Sequence, residues 1–163
     1  MFRVGIGYDV HPFAPGRRLV LGGIELPGTQ GLAGHSDADV IAHAIGDALL
    51  GAAGLGDLGT HFPPSDPQWK DCSSLLLLQR IGALLQQDGW QIVNIDVTFI
   101  GEQPRLAPHR QAMQERLAAA LEIAPHQVSI KATTNERLGF IGRGEGAAAL
   151  AVALITRPDI EQP

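Results

Sequence analysis

Between Trp90 and Ile100 the chain alternates: Val93, Ile95, Val97 and Phe99 fall on one face of an extended segment, and Asn94, Asp96 and Thr98 on the other. Such a strand has one apolar face, which another layer must cover. The rest of the chain supplies that layer. Val40, Ile41, Ala44, Ile45, Ala48 and Leu49 recur at helical spacing, as do Leu75, Leu78, Ile81, Leu84 and Leu85, and again Met113, Leu117, Ala120 and Leu121. The first helix is expected to start at Ser36 or Asp37 and to end in the glycine-punctuated segment 51–59. The second starts at Ser73 or Ser74 and runs to about Asp88, with Gly89 as its stop. The third spans 108–122, with Pro108 in its first turn. Residues 3–8 and 128–133 read as further strands, the first broken by Pro12, Pro15 and Gly16. Two short apolar runs around Gly22-Gly23 predict a hairpin. Residues 27–34 and 60–67 read as loops, the second fixed by Pro63-Pro64 and Asp66-Pro67. The alanine-rich stretch 146–156 is helical by propensity. The order predicts helices on one face of a mixed sheet, with the other face left to a partner subunit or to solvent.

At 163 residues the chain is long enough for one domain with a real core. Its net charge of −5 disfavours non-specific binding to nucleic acid or to an anionic membrane. One cysteine, Cys72, forbids an internal disulfide and suits a reducing compartment. No signal-peptide pattern and no run of roughly 20 apolar residues is visible, so a cytoplasmic protein is expected.

The chemistry-bearing residues cluster. Asp9 and His11 are two apart on a predicted strand, so their side chains leave the same face. The stretch from Gly34 to His43 adds two histidines and two aspartates at a helix start, and His43 is the natural third ligand. An Asp, His, His set with an open position fits catalytic zinc rather than a closed structural site. On one face of that helix, Asp39 or Asp47 is expected to accept the second ring N–H of His43. The plain alternative stands beside this: a hydrogen-bonded Asp-x-His pair and a capped helix with solvated acids, Asp37 among them. Toward the C-terminus, residues 133–146 hold four glycines and two arginines able to present N–H groups and positive charge to phosphate.

Four stretches in order, GYDVH from Gly7, GHSDADVIAH from Gly34, DALLGAAGLGDLG from Asp47 and KATTNERLGFIGRGEG from Lys131, resemble the 2-C-methyl-D-erythritol 2,4-cyclodiphosphate synthase family. Together they span the chain from end to end. The resemblance implies a metal-dependent cyclase of the non-mevalonate isoprenoid pathway. Its substrate is 4-diphosphocytidyl-2-C-methyl-D-erythritol 2-phosphate, whose own 2-phosphate attacks the β-phosphate and releases CMP. It also implies a final strand at 146–156, against propensity. The expected fold is then α/β (α+β): a single synthase domain over 1–163, with a mixed four-stranded sheet, helices on one face and a small hairpin. The family is a homotrimer with sites between subunits.

By position in the matching motifs, Asp9, His11 and His43 are the expected zinc ligands, and Glu136 the ligand of a second divalent ion, Mg²⁺ or Mn²⁺. His35 and Thr134 match the catalytic residues that position phosphates. Ser36, Asp57, Leu58 and Gly59, with Phe62, Pro63, Pro64, Ser65 and Asp66, match the methylerythritol pocket, and Phe140 and Arg143 match the trimer axis and the phosphate end of the site. Gly101, Glu102, Gln103, Pro104, Arg105, Leu106 and Ala107, with Ala132, Thr133 and Asn135, match the cytidine pocket. Arg105 stands where the family often has lysine, Asn135 where it often has threonine, and Pro64 and Ser65 vary the loop after Phe62. None of these departures touches an expected metal ligand. Two other functions share the same residues: a phosphoesterase using zinc to activate water, and a non-catalytic trimer. His35, Thr134 and Glu136 argue against the second, since a structural zinc needs none of them.

Overall fold

The computed structural model describes residues 1–28 and 30–158, so one residue of the loop read at 27–34 and the last five of the domain read over 1–163 lie outside the described residues. In chain order the elements are β1 (Phe2–Pro15), β2 (Leu19–Leu21), β3 (Ile24–Leu26), β4 (Gln30–Leu32), α1 (Val40–Ala53), α2 (Leu58–His61), α3 (Ser74–Gln87), β5 (Gln91–Ile100), α4 (Arg110–Ala120), β6 (Val128–Thr133), α5 (Gly139–Gly142) and β7 (Gly146–Thr156). Five strands form one mixed sheet in the order β4-β1-β7-β5-β6, and β2 and β3 form the predicted hairpin. Among the described residues only β5 and β6 pair in parallel.

The α+β architecture is as expected, with differences that have local causes. The sheet has five strands, not four, because β4 pairs with the end of β1. Pro12 does not end β1; it marks the change of partner. Residues 2–12 pair with β7, and Phe13 onward pairs with β4. A proline, lacking an N–H, fits where one ladder stops and another begins. Part of the segment read as loop after Gly59 is the short helix α2, which Asp57 caps by accepting the Thr60 N–H at 2.8 Å. The third helix starts at Arg110, after a 3-10 turn over Ala107–His109.

What positions the site is how closely α1 lies on β1 and β7. Gly5 and Gly7 of β1 face the helix, and a Cβ on either would sit 2.0 Å from the Ala48 carbonyl oxygen or 1.9 Å from that of Ala44. On β7 the same face carries Ala147, Ala149, Ala151 and Ala153, all buried. This explains why an alanine-rich segment is a strand. The helix needs a small-residue floor, and tertiary packing outweighs a propensity worth a few tenths of a kcal/mol per residue. α1 is buried on nearly every side, with α3 packed on it and α4 on α3. The other face of the sheet is open: Phe2, Val4, Ile6 and Tyr8 are 51–70% exposed there, beside Leu150 and Val152.

The first helix starts at Val40, not at Ser36 or Asp37, and its cap is Asp39. The Asp39 carboxylate accepts the N–H groups of Ile41 and Ala42 and, across the hairpin turn, those of Gly22 at 2.9 Å and Gly23 at 2.7 Å. Gly22 and Gly23 both have positive φ, as that turn demands. Burial and the neighbouring Asp37 charge push the Asp39 pKa up to about 6, against the bonds from Gly23, Gly22 and Ala42. Asp39→Ala removes the cap and orphans two turn amides, that of Gly22 buried and that of Gly23 partly buried. The expected loss is about 3 kcal/mol or more. Thermal melting checks it; a melting point within 2 °C of the parent, on the order of 0.5–1 kcal/mol for a chain this size, would contradict it.

Candidate metal centre and phosphate site

Beyond Gly7, the inward face of β1 carries side chains again, and these are Asp9 and His11. They occupy the space where α1 begins, and His43, in its first turn, points back at them. Asp9 Oδ2 lies 3.0 Å from His43 Nδ1 and 3.1 Å from His11 Nε2, and the two ring nitrogens are 3.4 Å apart. One ligand atom from each lies within 4.8 Å of the others, and among the described residues this is the one such group of three or more.

The remaining ring nitrogens determine what these atoms can do. His11 Nδ1 lies 2.7 Å from the Ala33 carbonyl, which only accepts, so Nδ1 carries a proton and Nε2 is the nitrogen turned to Asp9. His43 Nε2 faces two hydroxyls, Ser36 at 3.0 Å and Ser74 at 2.8 Å. The aspartate expected at that nitrogen is not there. Asp39 is the helix cap, and Asp47 accepts the Leu58 N–H at 2.8 Å, tying α2 to α1. A carboxylate and two imidazole nitrogens thus face one small volume, a donor set suited to a divalent cation such as zinc. Burial raises the Asp9 pKa, but hydrogen bonds from both histidines and their charges outweigh it and hold the carboxyl well below the usual range. Burial lowers that of His43, and the Asp9 hydrogen bond, with the charges of Asp9, Asp39 and Asp37, raises it on balance. Without a metal, a proton fills the same role of joining the three groups.

Around this centre two loops close on each other. His35 Nε2 meets the Asp66 carbonyl at 3.4 Å, the Asp71 N–H bonds the His35 carbonyl at 2.8 Å, and the Asp37 N–H bonds Cys72 O at 3.1 Å. Arg17 donates to the carbonyls of Leu32, Gly34 and Ser36, and holds the first loop from behind. In the second loop Phe62 stacks edge-on against Trp69, while Asp66 caps the following turn, leaving Pro63, Pro64 and Ser65 between them. Asp57, Leu58 and Gly59 lie at the start of α2. Sequence reasoning missed Arg17 and Ser74, and took Asp37 as a solvated acid. It is instead bonded to the first residue of α3, accepting the Ser74 N–H at 2.9 Å. No local pattern marks these residues, because the partners named here are 15 to 37 positions away.

The expected cytidine and second-metal residues form a separate group. Glu102 accepts the N–H groups of Asn135 and Arg137, and the Gly101 N–H bonds the Thr133 carbonyl at 3.0 Å. The turn places Glu136 and Arg137 at positive φ, and the Thr134 hydroxyl meets the Glu136 carboxylate at 3.2 Å. Gln103, Pro104, Arg105 and Ala107 follow Glu102 in the adjoining loop; Leu106 turns its side chain into the core. Ala132 and Thr133 end β6. Phe140, on α5, is 43% exposed, and Arg143 pairs with Glu145 at 2.6 Å. Thr133 pairs with Ile100, which pairs with Ala148, which pairs with Val10. The two groups therefore lie in one row of the sheet, but on strands three spacings apart, about 14 Å.

The model of the YgbB family matches residues 2–156. A 2-C-methyl-D-erythritol 2,4-cyclodiphosphate synthase of Symbiobacterium thermophilum is 60% identical over 93% of this chain and 97% of its own length. The bifunctional IspDF structure from Campylobacter jejuni aligns with a TM-score of 0.93 at 41% identity, over 98% of this chain but 43% of that one. The IspF structure from Plasmodium falciparum in complex with CDP aligns with a TM-score of 0.85 at 30% identity, over 97% of both chains. No helix among the described residues is long and apolar enough to cross a membrane.

Proposed function

The chain belongs to the YgbB family, and we propose that it converts 4-diphosphocytidyl-2-C-methyl-D-erythritol 2-phosphate to 2-C-methyl-D-erythritol 2,4-cyclodiphosphate and CMP. The observation that carries this reading is the convergence of Asp9, His11 and His43 on one small volume, beside loops that present His35 and Ser36. A single synthase domain over residues 1–163, acting in the cytoplasm, completes the proposal.

In this reading Asp9, His11 and His43 hold zinc, and Glu136 helps hold Mg²⁺ or Mn²⁺. When bound, these ions supply Lewis acidity at phosphate oxygens and screen the charge of the two reacting groups. The chain itself provides no nucleophile, since the substrate carries one. Its task is to hold the 2-phosphate against the β-phosphate, and an intramolecular attack in the right geometry gains several kcal/mol from orientation alone, on the order of 7–11 in favourable cases. Ser36, Asp57, Leu58 and Gly59, with the 62–66 loop, orient the methylerythritol. Residues 101–107, Ala132, Thr133 and Asn135 hold the cytidine, and Phe140 and Arg143 lie toward the phosphate end and the subunit axis. His35 and Thr134 donate hydrogen bonds to phosphate oxygens as their charge grows. Such donors act on the transition state more than on binding. His35→Ala and Thr134→Ala are each expected to lower kcat by about 10²-fold with little change in zinc content. If they lose melting temperature but turn over normally, both residues are only structural.

The separation of about 14 Å between the two groups within one chain favours sites built between subunits, each pairing the metal edge of one chain with the nucleotide edge of the next. The open apolar face of β1 and β7 supports the same assembly, because exposed contiguous apolar surface marks an interface. The proposed state is a homotrimer, binding neither nucleic acid nor membrane. Light scattering should report a trimer at micromolar concentration; a monomer there would contradict it.

The reaction is tested by incubating the protein with the cytidyl substrate and Mg²⁺ and following phosphorus NMR. CMP and a cyclic diphosphate should appear together, with a rate that depends on added Mg²⁺. An opened monophosphate without cyclic product would instead identify a hydrolase.

A further inference from the structure

Between the end of β4 at Leu32 and the start of α1 at Val40 the chain forms no helix or strand, yet the carbonyls from Leu32 to Ser36 have partners in turn. Those of Leu32, Gly34 and Ser36 accept from one side chain, the Arg17 guanidinium: the first from Nε at 3.3 Å, the other two from Nη2 at 3.2 and 2.9 Å. Those of Ala33 and His35, between them, accept from His11 Nδ1 and from the Asp71 N–H. The remaining guanidinium nitrogen, Nη1, reaches Asp71 Oδ1 at 3.4 Å. That ion pair is exposed and holds little by itself. The bonds from a charged donor to the three carbonyls are the stronger hold. The loop is also tight against the centre, since a Cβ on Gly34 would lie 2.8 Å from His11 Cε1.

We propose that Arg17 is a positioning residue for the cyclisation: by spanning the carbonyls of Leu32, Gly34 and Ser36 it fixes the place of His35, and so sets the rate of phosphoryl transfer. It acts through His35 rather than on the substrate, and the inference rests on the reading of His35 given above. The His35 ring has one long contact of its own, 3.4 Å from the Asp66 carbonyl, so the backbone on either side determines where it stands. A catalytic group about 1 Å out of place costs up to about 10²-fold in rate. A planar fork with separate Nε and Nη2 donors reaches three carbonyls at once, and an ammonium on a flexible stem does not. Were Arg17 only a stabilising tie, its loss would lower the melting point and leave turnover alone.

The test compares kcat, CDP affinity, zinc content and melting temperature for the parent, Arg17→Ala, Arg17→Lys, His35→Ala and the double variant Arg17→Ala/His35→Ala. Arg17→Ala is expected to lower kcat by about 10–10²-fold. Its zinc content and CDP affinity should stay near those of the parent, because Asp9, His11 and His43 stand on β1 and α1, and the expected cytidine residues lie toward the β6 edge of the sheet. Arg17→Lys should recover only part of the loss, at a melting temperature near that of the parent. The double variant should turn over within about twofold of His35→Ala, since both changes act along one path. Should Arg17→Ala not fold, Arg17→Lys, which keeps the charge, takes its place in the same comparison. Normal turnover by His35→Ala overturns the reading of His35, and the proposal falls with it. With His35→Ala impaired, three results overturn the proposal alone. They are parent-like kcat in Arg17→Ala with only a lower melting temperature, full recovery of kcat by lysine, and losses that multiply in the double variant, which would place Arg17 on the substrate itself.

Discussion

His43→Ala is expected to lose its bound zinc and to lower turnover by about 10³-fold or more. The histidine side chain is 12% exposed, sits in the first turn of α1 and supplies one of three converging ligand atoms. Removing it leaves a carboxylate and one ring nitrogen, too few to hold a zinc ion at a catalytic site that takes three protein ligands. A Lewis acid at a phosphoryl group is worth several kcal/mol of barrier, and about 4 kcal/mol corresponds to the stated factor. The fold should survive. The apolar side of α1, from Val40 through Ala53, makes no use of this ring, and the Asp39 cap remains. Metal analysis and circular dichroism on one preparation check both halves. Parent-like zinc content would remove His43 from the ligand set. Loss of helical signal would show that the ring is a packing element.

Gly7→Val is expected to damage fold and metal centre together. Even a methyl group at residue 7 would lie 1.9 Å from the Ala44 carbonyl oxygen and 2.7 Å from the Ala48 nitrogen. These are backbone atoms of a buried helix and cannot rotate away, so strand and helix must separate. Overpacking of this kind costs about 1–3 kcal/mol, occasionally more. At about 2–4 °C per kcal/mol for a chain of this size, the melting point should fall by roughly 2–12 °C. Zinc affinity should fall as well, because Asp9 lies two residues beyond Gly7 and His43 one residue before Ala44. Any gap opened at Gly7 widens the 3.0 Å contact between them. Gly51→Ala is the matched control on the same helix. A Cβ there meets nothing closer than 4.0 Å, so replacing a helical glycine should leave the melting point unchanged or raise it. Equal behaviour of the two variants would mean that the glycine floor does not set the helix position.

Much of the fold was legible because periodicity is a local property. The alternation over 90–100 and the helical spacings after Ser73 and around Met113 led to β5, α3 and α4 with boundaries off by one or two residues. The Asp9 and His11 pair followed from the two-residue period of a strand, and His43 from its nearness to a helix start. The strand at 146–156 was not legible from its alanines, since their advantage lies in the helix they allow to approach. It came from resemblance alone. β4 was missed because a three-residue strand containing a glycine has no period to read.

The sequence by itself determined which residue types carry chemistry here and which strand and helix faces present them, because those depend on neighbours within a turn or two. Only the tertiary structure decided who meets whom. It put Asp39 under the hairpin glycines, Asp47 on the start of α2, Asp37 on Ser74, and Ser74 on His43. Short polar side chains have little intrinsic preference among buried donors. Their partners are chosen by the approach of α1 to the glycines of β1 and the alanines of β7, a distance that packing sets and no local pattern encodes.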